Sequence, residues 1–564
     1  MSRQRSRIAC EPCRERKRKC DGDGSHPCNL CSGFGYDCHY RSVPRRRRTA
    51  AVSATPKTIG ATTVPSASTQ QNDLPTGSPT TSVTGKSDGN VILGLPGSSQ
   101  CYVRSVESNS GAAFMRKLAM AIDPSDAPPL QLLAWNLFLG ERLQSYSTPI
   151  WTSLTDVVSL AEMRTLAQVY FEKVDCCYGF IERSHFDRCV DSKWSPESSP
   201  WYDAVLCGVA ALGCLFSTRR AEEKEAGLVY LAKSILEREA HLNSSIHDAT
   251  GWLLRTVYLR LTARPEDAWI ASCTTMHIID AAGVHSETPP SKILRPMTHE
   301  SPPDTRRRVF GVAQHMNIWM SFDLARSRVV LQNATTVSAV ERPNNFTTEL
   351  LELLPYSEIL DPAMSLGGVE LSSALAGILQ RFHTEPPSVL AQCNLTLCIY
   401  RRLYGLKWEI PPEILDKALA LIERGLQAVH AITVSESPWH QAANVPFQAI
   451  CALLTIDSAN SLALLGDTIA ILVEIDQVYQ TKATREALFA ARSLVYMHQK
   501  RREADVKKQA DMLKFYPATT VANDEEFIDF LHGQSLADFT WFNDFANEVD
   551  FMAPSDGFLD SSAE

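Results

Sequence analysis

The sequence predicts a small metal-stabilised domain followed by a linker, a large all-α helical body and an acidic tail. Three observations predict this. Six cysteines fall between residues 10 and 38 at metal-ligand spacing. Residues 49–105 are rich in Ser, Thr, Pro and Gly, a composition that cannot bury enough apolar surface to offset its ordering entropy. From 106 to 515, apolar residues recur at helical steps and strand-like alternation is scarce.

The cysteines form a repeat. Cys10, Cys13 and Cys20 are separated by two and six residues, and after seven more Cys28, Cys31 and Cys38 repeat that interval. A structural zinc ion takes four tetrahedral ligands, and a Cys-x2-Cys pair grips one ion from a tight turn. Six cysteines can serve one ion and leave two over. Alternatively, two ions need eight ligand positions, which six sulfurs fill if two of them bridge. The pseudo-twofold repeat favours two zinc ions, with Cys10 and Cys28, the first cysteine of each half, as the natural bridges. Six thiolates with two zinc ions sum to about −2, so neighbouring cations stabilise the cluster. A disulfide framework fits less well, because the chain opens on Arg3, Arg5 and Arg7 with no signal-peptide pattern. A metal-storage cluster has no use for the basic segment described next.

The two halves are polarised. Arg14, Glu15, Arg16, Lys17, Arg18 and Lys19 lie between Cys13 and Cys20, whereas residues 32–37, between Cys31 and Cys38, contain no Arg or Lys. A short basic helix held by metal suits a DNA major groove, where guanine offers O6 and N7 as acceptors. The remaining bases then add salt-dependent phosphate contacts.

On these residues, the segment 10–38 resembles the binuclear zinc cluster, Zn(II)2Cys6, of fungal transcription factors of the galactose-regulator type. The resemblance implies two zinc ions bridged by Cys10 and Cys28. It puts Arg16 and Lys17 where relatives touch the bases of a CGG triplet, Lys17 foremost, and Arg14 and Lys19 mainly on phosphates. Pro27 matches the proline usual in the loop joining the halves. Many members follow the cluster with a coiled coil that sets half-site spacing. Residues 41–100 hold few Leu and no sustained heptads, so the chain is expected to bind as a monomer or to form a homodimer through a later domain.

Charge is distributed accordingly. The whole chain of 564 residues carries −9, yet residues 1–48 hold thirteen Arg or Lys against five Asp or Glu, a formal +8, leaving −17 for the rest. A basic head on an acidic body suits local contact with double-stranded DNA. Arg45–Arg48 and Arg14–Lys19 serve nuclear import or contact with flanking phosphates, and the nucleus is the expected location. No membrane partner is expected: the apolar stretch from Ala204 to Thr218 is about fifteen residues, short of a span, and acids interrupt Ala452–Ile475. The ten further cysteines, among them Cys101, Cys207 and Cys451, read as small buried hydrophobes. The adjacent pair Cys176-Cys177 carries a second reading as a sensor of metals or oxidants.

Within the body, Leu415, Leu419, Ile422, Leu426 and Val429 recur at steps of four and three after Pro411-Pro412, one face of a packed helix. Three passages within a core at 165–345 resemble the fungal transcription-factor middle homology domain. They are Tyr170-Phe171 to Phe186, Trp269 to Gly283-Val284-His285, and Arg306-Arg307-Arg308-Val309-Phe310. Gly311 stands where a Trp is common, and Ala325-Arg326-Ser327 where Gly-Arg-Pro is usual. Arg306–Arg308 read as a salt-bridged helix face, with an anionic effector as the alternative. His185, His277 and His285 read as isolated. The body contains no phosphate-cradling Gly loop, no His-Glu-x-x-His and no nucleophile elbow, so no enzyme is expected.

The last segment, 516–564, changes again. Residues 523–564 contain no Lys or Arg, while acids such as Asp524, Glu525, Glu526 and Asp529 interleave with Phe527, Phe530, Trp541 and Phe542. Acid keeps such aromatics solvated until a partner groove accepts them, the logic of an activation segment for transcription coactivators. Sequence and resemblance together predict a zinc-dependent activator at RNA polymerase II promoters, regulating a fungal metabolic or biosynthetic gene set such as one for secondary metabolism. A repressor of the same class, and a zinc-cluster scaffold that does not read DNA, are the alternatives.

Overall fold

The structure, a computed structural model, describes residues 10, 12–13, 20, 28, 31–32 and 38–40, then 91–93, 104–106, 111–123, 135–145 and, with short gaps, 152–515. Arg14–Lys19, Arg45–Arg48, Cys101 and the acidic-aromatic segment 516–564 lie outside the described residues. Two compact units divide the chain, residues 1–84 and 85–564.

Two short strands are described around residues 91–106. Strand β1 (Val91–Leu93) pairs antiparallel with β2 (Arg104–Val106), Val91 opposite Val106. Three consecutive apolar residues, Val91-Ile92-Leu93, are local strand formers that the surrounding polar composition concealed.

The body is an array of helices. In chain order these are α1 (Gly111–Ile122), α2 (Leu154–Val157), α3 (Leu160–Lys173), α4 (Arg183–Lys193), α5 (Asp203–Ser217), α6 (Glu223–Glu239), α7 (Ile246–Thr262), α8 (Pro265–Ala281) and α9 (Pro303–Leu324). After them come α10 (Thr347–Leu351), α11 (Leu354–Glu358), α12 (Gly368–Leu379), α13 (Pro386–Gly405), α14 (Pro412–Val434), α15 (Gln441–Ile456), α16 (Ala459–Tyr479) and α17 (Lys482–Phe515). Local chemistry sets many of the starts. Ser159 and Ser245 close capping boxes with Glu162 and Asp248 at α3 and α7. Proline opens α8, α9, α13 and α14, where its missing N–H removes no helix bond.

Two layers result. In the first, α5 packs against α3, α6 and α7, and α7 and α8 pair and carry α9. In the second, α13, α14 and α15 pack mutually, α16 lies on α14 and α15, and α17 covers α15 and α16. The N-terminal α1 docks on α15 and α17. One apolar cluster runs through both layers, from Phe114 to Met497. The predicted helix after Pro411 forms as α14, with Leu419, Ile422, Leu426 and Val429 buried in this array.

Helix α5 shows why composition alone misjudges a span. With its leading turn, Pro200–Ser217 is long and apolar enough to cross a membrane, so the length argument fails here. Yet 83% of it is buried, among neighbouring helices. Close approach accounts for Gly213: an added Cβ would collide with the backbone carbonyl oxygen of Leu166 on α3. At Gly311 of α9, a Cβ would meet Leu351 Cδ1 at 2.9 Å, so a larger residue there would push the Leu351 side chain aside. Helix α9 ends on Ala325 in the left-handed region, φ 53° and ψ 45°, a conformation a glycine adopts without strain.

Candidate metal centre

Two Cys-x2-Cys turns place the sulfurs of the N-terminal domain side by side. Sγ of Cys10 lies 3.8 Å from Cys28, 3.6 Å from Cys31 and 3.8 Å from Cys20. Cys13 Sγ lies 3.6 Å from Cys28. A disulfide would bring a pair to about 2.05 Å. Four sulfurs around one zinc, with bonds of about 2.3 Å, sit about 3.8 Å apart along the tetrahedron's edges. The separations are those of shared coordination.

The thiols sort into two four-membered groups, Cys10, Cys13, Cys20, Cys28 and Cys10, Cys28, Cys31, Cys38, each with its sulfurs within 4.8 Å of one another. Cys10 and Cys28 belong to both. Cys38 is half-buried and the other five are buried, with Tyr40 packed against them. Backbone donors face the sulfurs: Cys31 N–H donates to Cys28 Sγ and Cys28 N–H to Cys38 Sγ, both at 3.4 Å. Burial pushes the thiols of Cys10, Cys13 and Cys31 up, Cys31 to about 12, while the Cys28 N–H holds Cys38 below the usual thiol range. Such thiols keep their protons until a metal displaces them, so loading releases protons. The donor set, all sulfur and closed, fits structural zinc.

Cysteines of the body present the opposite case. Cys207, Cys214, Cys393 and Cys451 are buried in the helical body, and buried Cys398 accepts from the Arg401 guanidinium at 3.1 Å. Cys176 and Cys177 lie 3.7 Å apart at Sγ, with Cys177 buried. Among the described residues only the N-terminal cysteines form groups able to hold a metal.

The basic triplet of α9 is already engaged. Arg306 donates to the carbonyls of Gly283 and Ser286, and Arg307 pairs with Glu287 at 2.7 Å. Arg308 is fully buried, 2.9 Å from Asp304, and donates to Gly179 O, Asn345 Oδ1 and Val340 O. The salt-bridged reading fits, and the anionic-effector alternative loses its free cations. His185, read as isolated, instead stacks on His247 at 5.7 Å beside Trp201 and Tyr202. Residues distant in sequence built that cluster, so no local pattern could show it. His277 is exposed, and His285 is buried 3.7 Å from Asp280. A shallow surface dent between Phe322 and Asp361 holds Arg328, which Glu358 and Asp361 already neutralise.

Residues 8–48 match the family described as the fungal Zn(2)-Cys(6) binuclear cluster domain. The whole chain is similar to Protein RDR1 of Gibberella zeae, 39% identical over 98% of this chain and 97% of that protein. It is also similar to Transcription factor kojR of Aspergillus oryzae, 34% identical over 91% of this chain and 87% of the relative. Protein RDR1 of Saccharomyces cerevisiae is 29% identical over 90% and 92%. A shorter match, 28% identical over 120 residues, joins 21% of this chain to a probable transcriptional repressor, C1348.12, of Schizosaccharomyces pombe.

Proposed function

This chain belongs to the fungal Zn(2)-Cys(6) transcription factors, which carry two zinc ions and bind DNA and are not enzymes, and from that premise we propose a nuclear, sequence-specific activator at RNA polymerase II promoters. It reads CGG-type triplets in double-stranded DNA through Arg14–Lys19. The observation that carries this reading is the pair of four-thiol groups overlapping at Cys10 and Cys28. Those two sulfurs would be shared by the two ions. Cys13 and Cys20 complete one site, and Cys31 and Cys38 the other.

An ion held by Cys10, Cys13, Cys20 and Cys28 would fix both ends of the basic segment, since Cys13 precedes Arg14 and Cys20 follows Lys19. Arg16 and Lys17 then meet guanine edges, while Arg14, Arg18 and Lys19 hold phosphates. The acidic-aromatic residues 523–564 recruit coactivators. A second reading, repression, is favoured by one observation, the partial match to a probable transcriptional repressor. Gene sets for metabolism or biosynthesis, including secondary metabolism, are the proposed targets.

Selection of full-length, zinc-loaded protein on random DNA tests the reading. Enrichment of CGG triplets supports it, one copy meaning a monomer and two at fixed spacing a homodimer. Binding that is only non-specific and salt-sensitive sinks it. Arg16→Ala with Lys17→Ala is expected to relax specificity at those bases, by about 1–3 kcal/mol per lost contact. Nuclear function unchanged by that double variant would leave the cluster as a protein-interaction scaffold. Deleting 523–564 separates the remaining pair: a reporter that falls marks an activator, and one that rises marks a repressor.

A further inference from the structure

One pair of body cysteines departs from the singly buried pattern. Cys176 is half-buried and Cys177 is 3% exposed, and their sulfurs lie 3.7 Å apart. In a strand, adjacent side chains point to opposite faces. Here the chain turns as it leaves α3. The N–H groups of Cys177 and Tyr178 both donate to Val174 O, at 3.1 and 2.9 Å, and the turn sets the two sulfurs on one side. Cys176 Sγ also lies 3.6 Å from the Lys173 carbonyl, to which it donates.

The same turn is a junction. Cys176 O accepts from Phe346 N–H at 2.6 Å, and Asp175 O accepts from Asn345 Nδ2 at 2.7 Å. Gly179 N–H donates to Thr347 Oγ1 at 2.8 Å, and Gly179 O accepts from Arg308 of α9 at 3.0 Å. Residues 175–179 therefore hold down the segment that enters α10. The carbonyl that engages Phe346 belongs to the peptide joining the two cysteines, so a bond between their sulfurs acts on it directly. Adjacent residues hold their Cα atoms about 3.8 Å apart across a trans peptide, whereas disulfides usually span about 4.4–6.8 Å. Joining these sulfurs must turn the 176–177 peptide and draw its carbonyl away from Phe346 N–H. A disulfide under such constraint is readily reduced.

We propose that Cys176 and Cys177 are an oxidative modification site, closed to a vicinal disulfide by a small hydroperoxide and reopened by thiols. Cys176, the more accessible sulfur, attacks the peroxide. The O–O bond breaks, Cys176 becomes a sulfenic acid, and the thiol proton leaves with the departing oxygen as water. Cys177 sulfur then displaces the hydroxyl, the S–S bond forms and a second water leaves. Two thiols are oxidised by two electrons, and one peroxide is reduced to two waters. The Cys176 sulfur beside it and burial hold the Cys177 thiol well above the usual range, which suits the resolving partner and not the first to react. Oxidation thus loosens the entry to α10, and reduction restores it. This inference holds whichever DNA sequence the N-terminal domain reads.

The test treats full-length, zinc-loaded protein with hydrogen peroxide, blocks the remaining thiols with N-ethylmaleimide in denaturant, and digests with trypsin. Cleavage after Lys173 and Arg183 isolates Val174–Arg183, whose only cysteines are Cys176 and Cys177. This peptide is expected without maleimide and lighter by two hydrogens, at peroxide concentrations about tenfold below those that consume Cys393 or Cys451. Dithiothreitol before blocking should return both thiols. Cys177→Ser should leave Cys176 as a sulfenic acid that dimedone captures. Amide exchange over residues 345–351 should quicken by about fivefold in the oxidised protein, the loss of one hydrogen bond, and stay unchanged in peroxide-treated Cys176→Ser. Far-UV circular dichroism confirms folding, and Cys176→Ala replaces Cys176→Ser if the latter does not fold. Three results each overturn the proposal: both cysteines still carrying maleimide once Cys393 and Cys451 are oxidised, either sulfur bonded to a third cysteine, or exchange over 345–351 equal in the oxidised and reduced protein.

Discussion

In the N-terminal domain, five buried cysteines, with half-buried Cys38 and Tyr40 against them, make up the described core. The helical body is organised around one apolar cluster spanning both layers, and there cysteine is merely another small hydrophobe: burial raises Cys393 and Cys451 to about 12. The same side chain therefore does opposite work in the two units. Where apolar surface is scarce, thiols fold the chain by taking metal. Where it is plentiful, singly buried thiols such as these are packed and inert.

The largest expected effect comes from removing the metal. Zinc in small thiolate domains supplies about 10 kcal/mol or more of folding energy, so chelation should abolish DNA binding while the helical circular dichroism of the body persists. A body that melts together with the cluster would break the contrast. Cys28→Ser strikes both four-thiol groups and Cys38→Ser only one. Zinc content by atomic spectroscopy should fall further in the first. Protons compete with the metal for thiols that burial has pushed up, so zinc affinity should rise with pH between 6 and 8, read by chelator competition.

The next effects concern the body alone. Arg308→Met removes the donor to the carbonyls of Gly179 and Val340, while Asp304 keeps Arg342 at 2.6 Å. Each buried acceptor left without a donor costs about 1–3 kcal/mol, seen as a lower Tm at unchanged zinc content. Gly213→Ala drives a methyl into the Leu166 carbonyl and should lower stability by about 1–3 kcal/mol in urea titration. Smallest, and opposite in sign, Ala325→Gly relieves a left-handed residue at the end of α9 and should stabilise by up to about 1 kcal/mol.

The metal centre was legible because its ligands lie within 29 consecutive residues, Cys10 to Cys38, and zinc imposes short, repeated intervals on them. Helix α14 was legible because proline starts it and its apolar side chains keep helical steps. The paired state of Arg306, Arg307 and Arg308 was visible only as a charge run, since Glu287, Asp304 and the carbonyls that engage them come from other parts of the chain. Gly311 looked like a departure from a family pattern, and a side chain there would have to move the Leu351 methyls aside.

By itself, the sequence determined the chemistry of the N-terminal domain, the all-α character of the body and the charge asymmetry between them. Each depends on residue type and short-range spacing. Tertiary structure alone decided that the apolar α5 is a core helix and that Arg308 of α9 meets the carbonyls of Gly179 and Val340 and the side chain of Asn345. Gly179 lies 129 residues from Arg308 in the chain, and only the packed fold brings them together.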